Sequence, residues 1–222
     1  MVNDYLHLCP RFVRNFFESN EEVIKQRHLE NYDEIVGMAG ILELDSHILL
    51  MLNYAFELGK ALCTSIVARQ ADGKIIHGRN MDFGFPDAMR NASYIAKFYK
   101  NGEYLFDAVM FGGYVGVASG YQKGQYSLTL NARGVEKGVE EYFTIMGKIY
   151  AGLPEIGIAT RDAMTSCGSF ECVKDTMSSI KTVVPMYIIM AGTEENQGIV
   201  ISKGENGMDN LRTLDEENWY LV

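Results

Sequence analysis

The chain is 222 residues long, with 47% hydrophobic, 22% charged and 11% aromatic residues, which suits one large domain with a sizeable core, or at most two small ones. Those proportions exclude a disordered segment, a collagen-like repeat and a disulfide miniprotein. Twenty Lys and Arg against 29 Asp and Glu give a formal net charge of −9, and with no local Lys/Arg cluster this weighs against a nucleic-acid partner.

Along the chain, Phe12, Val13, Phe16, Phe17, Val23 and Ile24 recur at helical spacing with charges between them, which predicts an amphipathic helix. A second helix is predicted over Tyr32–Leu42. A third starts near Asp45 or Ser46, both good N-cap types, and runs through ILLMLNYAFELGKAL to Leu62. The texture then changes. CTSIVARQ, an Asp72-Gly73 turn and KIIHGRN predict a β-hairpin. SYIAKFY, a turn at Asn101-Gly102, EYLFDAVMF, YVGVAS and QYSLTLN predict further strands. Residues 136–180 return to helical spacing, and MYIIMAG, GIVISK and NLRTLD close with strands. This order predicts a layered α+β domain.

Several common sites are not indicated. The stretch FGGYVGVASG matches neither phosphate-binding glycine motif, so its glycines are expected to serve tight turns and close backbone approach. The apolar stretches Ile48–Leu52 and Val183–Gly192 fall far short of the ~20 residues that span a bilayer. The first residues lack the apolar core and small-residue cleavage site of a signal peptide, so a cytoplasmic protein is expected if Met1 is the true start. No metal or cofactor is expected. Cys9, Cys167 and Cys172 are expected as buried or free thiols, because no Cys-x-x-Cys pair or zinc-type spacing occurs. His7, His28 and His47 are expected at the surface or at caps, and His77 as a strand residue.

One segment carries chemistry. Cys63 opens the first strand of the hairpin, and Arg79 and Asp82 are expected just past its second strand, near enough to return to the thiol. Only a thiolate attacks a carbonyl, and a guanidinium beside the sulfur stabilises that form.

CTSIVA, HGRNMDFG, GYVG, IGIATRDAM and YIIMAG occur in this order, with Arg79 and Asp82 lying 16 and 19 positions after Cys63. On these residues the chain resembles the acid ceramidase and N-acylethanolamine-hydrolysing acid amidase family of N-terminal-nucleophile hydrolases, related to choloylglycine hydrolases. The resemblance runs from about Tyr32 to Val222. It implies a four-layer αββα sandwich with a helical N-terminal leader, in which residues 1–62 form a propeptide-like α chain and residues 63–222 a catalytic β chain. It also implies a self-made cut between Leu62 and Cys63, which frees the Cys63 amine as general base, with Asp82 holding the amine and Arg79 beside the thiol. The substrate implied is a lipid amide, an N-acylethanolamine or a ceramide, and the partner implied is the chain's own other half in an α/β heterodimer.

The family continues its late Trp-Tyr strand into a Thr-Asn-Tyr-Asp segment that supplies an oxyanion donor, whereas this sequence runs to Trp219-Tyr220-Leu221-Val222. Where relatives carry Glu-Arg after the strand matching QYSLTLN, this chain has Ala132-Arg133. Asn131 is the candidate oxyanion or substrate-site group, and a non-catalytic homologue that binds lipid or a partner is the alternative. A lysosomal address follows by resemblance, and Asn91-Ala92-Ser93 is then a candidate glycosylation site. With a pI near 5.0, the negative charge shrinks in an acidic lumen, which favours contact with an anionic membrane surface.

Overall fold

The computed structural model describes residues 9–27, 29–59, 62–82, 86–134 and 138–222. The N-terminal helices come first: α1 (Arg11–Arg27), α2 (Leu29–Leu42), α3 (Ser46–Asn53) and the single turn α4 (Ala55–Leu58). The hairpin follows as β1 (Leu62–Arg69) and β2 (Ile75–Asp82), then α5 (Pro86–Ala92), β3 (Ser93–Lys100), β4 (Glu103–Phe111), β5 (Ser119–Gln122) and β6 (Tyr126–Ala132). Three helices, α6 (Val139–Tyr150), α7 (Ile156–Ser166) and α8 (Phe170–Ser179), precede β7 (Met186–Gly192), β8 (Gly198–Gly204), β9 (Gly207–Thr213) and the short β10 (Tyr220–Leu221).

Two antiparallel sheets result. The larger has the order β3-β4-β5-β6-β7-β8-β9, and the smaller has the order β10-β1-β2. The small sheet stacks on β6, β7 and β8 of the large one. Val67, Ile189, Ala191, Val200, Leu214 and Leu221 fill one part of the space between them. On its other face the large sheet buries Phe106, Leu128, Leu130, Ile188 and Ile201 against Met164 of α7 and Phe170, Val173 and Met177 of α8. This is the layered α+β arrangement expected from the order of the elements.

The turns follow their chemistry. Gly73 takes φ +83° in the first hairpin, and Asn101 and Gly102 take +53° and +84° in the second, which are positions where Gly and Asn meet little steric penalty. The third predicted helix does not run to Leu62. It breaks at Tyr54, whose φ and ψ of −95° and 22° leave the helical region, and α4 stops at Gly59 in extended backbone. YVGVAS is not a strand either. Tyr114–Ala118 form a buried loop, and strand pairing begins only at Ser119. The helix α5 has no counterpart among the predicted elements; it opens on Pro86, whose missing N–H costs a first turn nothing, with Asp87 beside it.

The loop is buried because its backbone is satisfied outside the ladder. Asn53 of α3 donates to the Gly113 carbonyl and accepts from Val115 N–H, each at 2.8 Å. Arg161 of α7 donates to the Val115 carbonyl at 3.0 Å, and Val117 N–H reaches the Gly157 carbonyl at 2.9 Å. Glu34 of α2 holds the same Arg161 through two bonds of 2.7 and 2.6 Å. At the start of α7, Glu155 accepts from Ile158 N–H and from Tyr114 Oη, while Glu57 of α4 accepts from Ile156 N–H. Carboxylates suit a helix N-terminus, where free N–H groups point outward. Burial raises the Glu155 carboxyl to about 7. The N-terminal helices therefore grip the loop and α7 through three polar side chains, while Val13, Phe17 and Ile24 bury the apolar face of α1.

The expectation of separate thiols at Cys167 and Cys172 needs correction, because the two are joined as a disulfide. Cys167 caps the end of α7, and the chain turns at Gly168 and Ser169 so that Cys172, in the first turn of α8, comes back to it with 5.5 Å between the Cα atoms. Cys9 is a buried free thiol, as expected.

Gly157 lets the loop close on α7. A Cβ there would lie 1.8 Å from Tyr114 Oη. Gly157→Ala should destabilise the fold by about 2–3 kcal/mol, the usual scale of overpacking, and urea unfolding of the two proteins measures it.

Candidate active site

Strand β1 alternates its side chains between two environments. Ser65 and Val67 are buried toward the large sheet, whereas Thr64 and Ile66 are exposed on the other face. Cys63 shares the inward set and is a half-buried free thiol. On β2 the register places Met81 opposite Cys63, Arg79 opposite Ser65 and His77 opposite Val67. The hairpin thus delivers Arg79 to the thiol, with NH2 donating to Sγ at 3.4 Å.

Arg79 enters the space between the sheets and meets oxygens there. NH1 donates to Ser119 Oγ of β5, and NH2 donates to the Leu130 carbonyl of β6 at 2.7 Å. Burial pulls the guanidinium down from its ordinary value, and the neighbouring Cys63 pushes the other way by favouring the cation.

The adjoining layer is also polar. His77 sets Nδ1 2.8 Å from Ser127 Oγ and Nε2 3.0 Å from Thr129 Oγ1. Ser65 Oγ lies 2.9 Å from Thr129 Oγ1. The Asn131 amide completes the layer. Its oxygen accepts from Ser65 N–H at 3.1 Å, and its nitrogen donates to Ser65 Oγ at 2.8 Å and to the Leu130 carbonyl at 3.1 Å. Asn131 therefore ties β6 to β1 through Ser65, and its second donor is spent on the Leu130 carbonyl of its own strand.

The remaining candidates lie apart. Asp82 is exposed and opposite Leu62, on the face away from Arg79, and accepts from Asn80 Nδ2 at 2.6 Å. Leu62 begins β1, so the Leu62–Cys63 peptide is part of the ladder. Asn91 is exposed near the end of α5. His47 lies in the first turn of α3 and is half-buried. His7, His28 and the Phe83-Gly84 end of HGRNMDFG fall outside the described residues. Among the described residues no cluster of three or more His, Cys, Asp or Glu could hold a metal ion, and no helix is long and apolar enough to cross a membrane.

Sequence reasoning missed Ser119, Ser65, Ser127 and Thr129. A signal for two of them was present: in YSLTLNA, Ser127, Thr129 and Asn131 alternate with Tyr126, Leu128 and Leu130, which marks a strand with one polar face turned inward.

A thiol at the start of a hairpin strand, touched by a half-buried arginine that reaches between two stacked antiparallel sheets, places the chain among the N-terminal-nucleophile hydrolase folds. In keeping with this, a solved N-acylethanolamine-hydrolyzing acid amidase ortholog from Caenorhabditis elegans superposes with a TM-score of 0.65 and 30% identity, over 71% of this chain and 67% of that one. Residues 63–212 match the linear amide C-N hydrolases, choloylglycine hydrolase family, and the chain belongs to that family. It is similar to human acid ceramidase, with 31% identity over 209 residues, and to the rat N-acylethanolamine-hydrolyzing acid amidase, with 31% identity over 191 residues. These alignments cover 86% and 85% of this chain but 52% of each relative, so the chain spans about half their length.

Burial and the Arg79 charge push the His77 imidazole down from 6.5 to about 4. A depressed His contributes stability that is full above its unfolded value near 6.5 and is lost as the pH falls toward 4. Glu155 works in the opposite sense: raised to about 7, it favours the fold increasingly as the pH falls from 7 to 4.5. His77→Gln removes the first effect and leaves the second. The variant should therefore gain stability relative to the parent on going from pH 7 to pH 4.5, as read by urea unfolding at both values.

Proposed function

We propose that the chain is an amidase that hydrolyses the amide bond of fatty acylamides, N-acylethanolamines or ceramide, through Cys63 freed by self-cleavage of the Leu62–Cys63 bond. The observation that carries this reading is the 3.4 Å contact between Arg79 and Cys63 Sγ. It is supported by the family match, which opens on Cys63 itself, and by the relatives' names, acid ceramidase and N-acylethanolamine-hydrolyzing acid amidase.

In the self-cut, the Cys63 sulfur attacks the Leu62 carbonyl carbon, the C–N bond breaks, and the nitrogen leaves as the free amine of Cys63. Water then hydrolyses the thioester, so that one piece ends at Leu62 and the other begins at Cys63. In turnover the amine takes the thiol proton, the sulfur adds to the substrate carbonyl, and the ammonium returns the proton to the departing amine. Water clears the acyl-thioester. An α-amine near pKa ~8 can carry that proton, whereas a peptide nitrogen cannot. The register supports a role for Asp82 at this stage, because its backbone lies opposite the residue whose removal exposes the amine.

A lysosomal address belongs to the same reading. It is supported by the Cys167–Cys172 disulfide, a bond that persists in oxidising compartments, and by the exposure of Asn91 in its sequon. The N-terminal helices stay bound after the cut as the α chain, held by Glu34, Asn53 and Glu57 and by their apolar core.

Acid incubation followed by intact mass spectrometry should give pieces ending at Leu62 and beginning at Cys63, with fatty acid released from an N-acylethanolamine or a ceramide supplied in parallel. Cys63→Ala should yield neither product. Splitting at the same bond in that variant would overturn the reading.

A further inference from the structure

Two anchors set the plane of the Arg79 guanidinium. One is the Leu130 carbonyl, which accepts from NH2 at 2.7 Å and belongs to the backbone of β6. The other is Ser119 Oγ, which accepts from NH1. Nε is buried without a hydrogen-bond partner, so it adds no third anchor. NH2 also meets Cys63 Sγ at 3.4 Å, and the direction of that contact depends on how the other two hold the fork.

Ser119 is itself well placed. It is the first residue of β5, paired with Thr129 of β6, and Leu130 N–H bonds the carbonyl of the preceding Ala118 at 3.0 Å. The hydroxyl therefore stands on rigid backbone between the buried loop and the sheet.

Resting on the reading of Cys63 as nucleophile, we infer that Ser119 is a positioning residue for the thiol: through Arg79, it fixes the guanidinium where an N–H points at Sγ. Without the hydroxyl the guanidinium keeps one oxygen anchor and pivots about the Leu130 carbonyl. The thiolate then loses a charge-assisted donor aimed at its sulfur.

The test is the pH dependence of iodoacetamide alkylation in the uncut chain, followed by mass. Cys9 is buried, and Cys167 and Cys172 are joined, so Cys63 is the thiol that reports. Ser119→Val and Ser119→Thr share a shape and differ in the hydroxyl alone, which keeps the comparison valid if Ser119→Ala loosens the fold. Ser119→Val should be alkylated about three- to tenfold more slowly at pH 7, whereas Ser119→Thr should follow the parent. In an Arg79→Gln background, Ser119→Val should add no further slowing. The inference is overturned if the Val and Thr profiles coincide, or if Ser119→Val slows alkylation independently of Arg79. Alkylation needs no amide turnover. A parent chain that neither splits nor hydrolyses acylamides therefore sinks the functional reading alone, and the alkylation profiles still judge Ser119.

Discussion

Arg79 carries its guanidinium into the space between the two sheets, and a charge so deeply placed persists only where oxygens meet it. That constraint explains why the sheets do not meet through an apolar layer throughout. Beside Val67 and Leu221 the packing is apolar, but toward Cys63 it gives way to Ser65, Ser119, Ser127, Thr129, Asn131 and the neutral His77. Each of these hydroxyl, amide and imidazole groups bonds a neighbour across the gap, so the polar layer costs little desolvation and fixes the register of one sheet on the other. The thiol sits at the rim of this layer, half-buried, where solvent and charge both reach it.

The same logic recurs where the N-terminal helices meet the body. A loop without ladder pairing can be buried only if other groups take its N–H and C=O bonds, and Asn53 and Arg161 do so. Glu34 then neutralises Arg161, and the side chains of Glu57 and Glu155 accept from the first turn of α7. Polar contacts thus specify where the helices dock, and the apolar faces of α1, α2 and α3 pack into one shared core.

Much of the fold was legible because periodicity and turn residues are local. The Asp72-Gly73 and Asn101-Gly102 turns, the hairpin they imply and the strand-rich ending at MYIIMAG and GIVISK all follow from short-range rules. The failures share a cause. YVGVAS has the composition of a strand, yet Asn53, 62 residues before Val115, draws its backbone out of the sheet. The run through Leu62 looks like one helix, but the chain breaks at Tyr54. The Cys167–Cys172 pair has no motif spacing and forms because α8 doubles back on α7. In the site, the spacing of 16 positions indicated that Arg79 could return to Cys63, as it does. Spacing along one hairpin cannot show which residues of another sheet receive the guanidinium, so Ser119 and Leu130 were invisible. Nor did it reveal that Asp82 points to the opposite face.

The shared core of the N-terminal helices and the body has a consequence for the order of events. While residues 62 and 63 are joined, the chain holds the helices at high effective concentration beside α6 and α7, and folding is a unimolecular matter. A cut at that bond leaves a core made by two molecules. Native structure then survives through the buried surface alone, but once opened it must be rebuilt by a second-order encounter that slows with dilution. Processing at Leu62–Cys63 would therefore give the fold a direction in time, assembled once as a single chain and afterwards kept rather than remade.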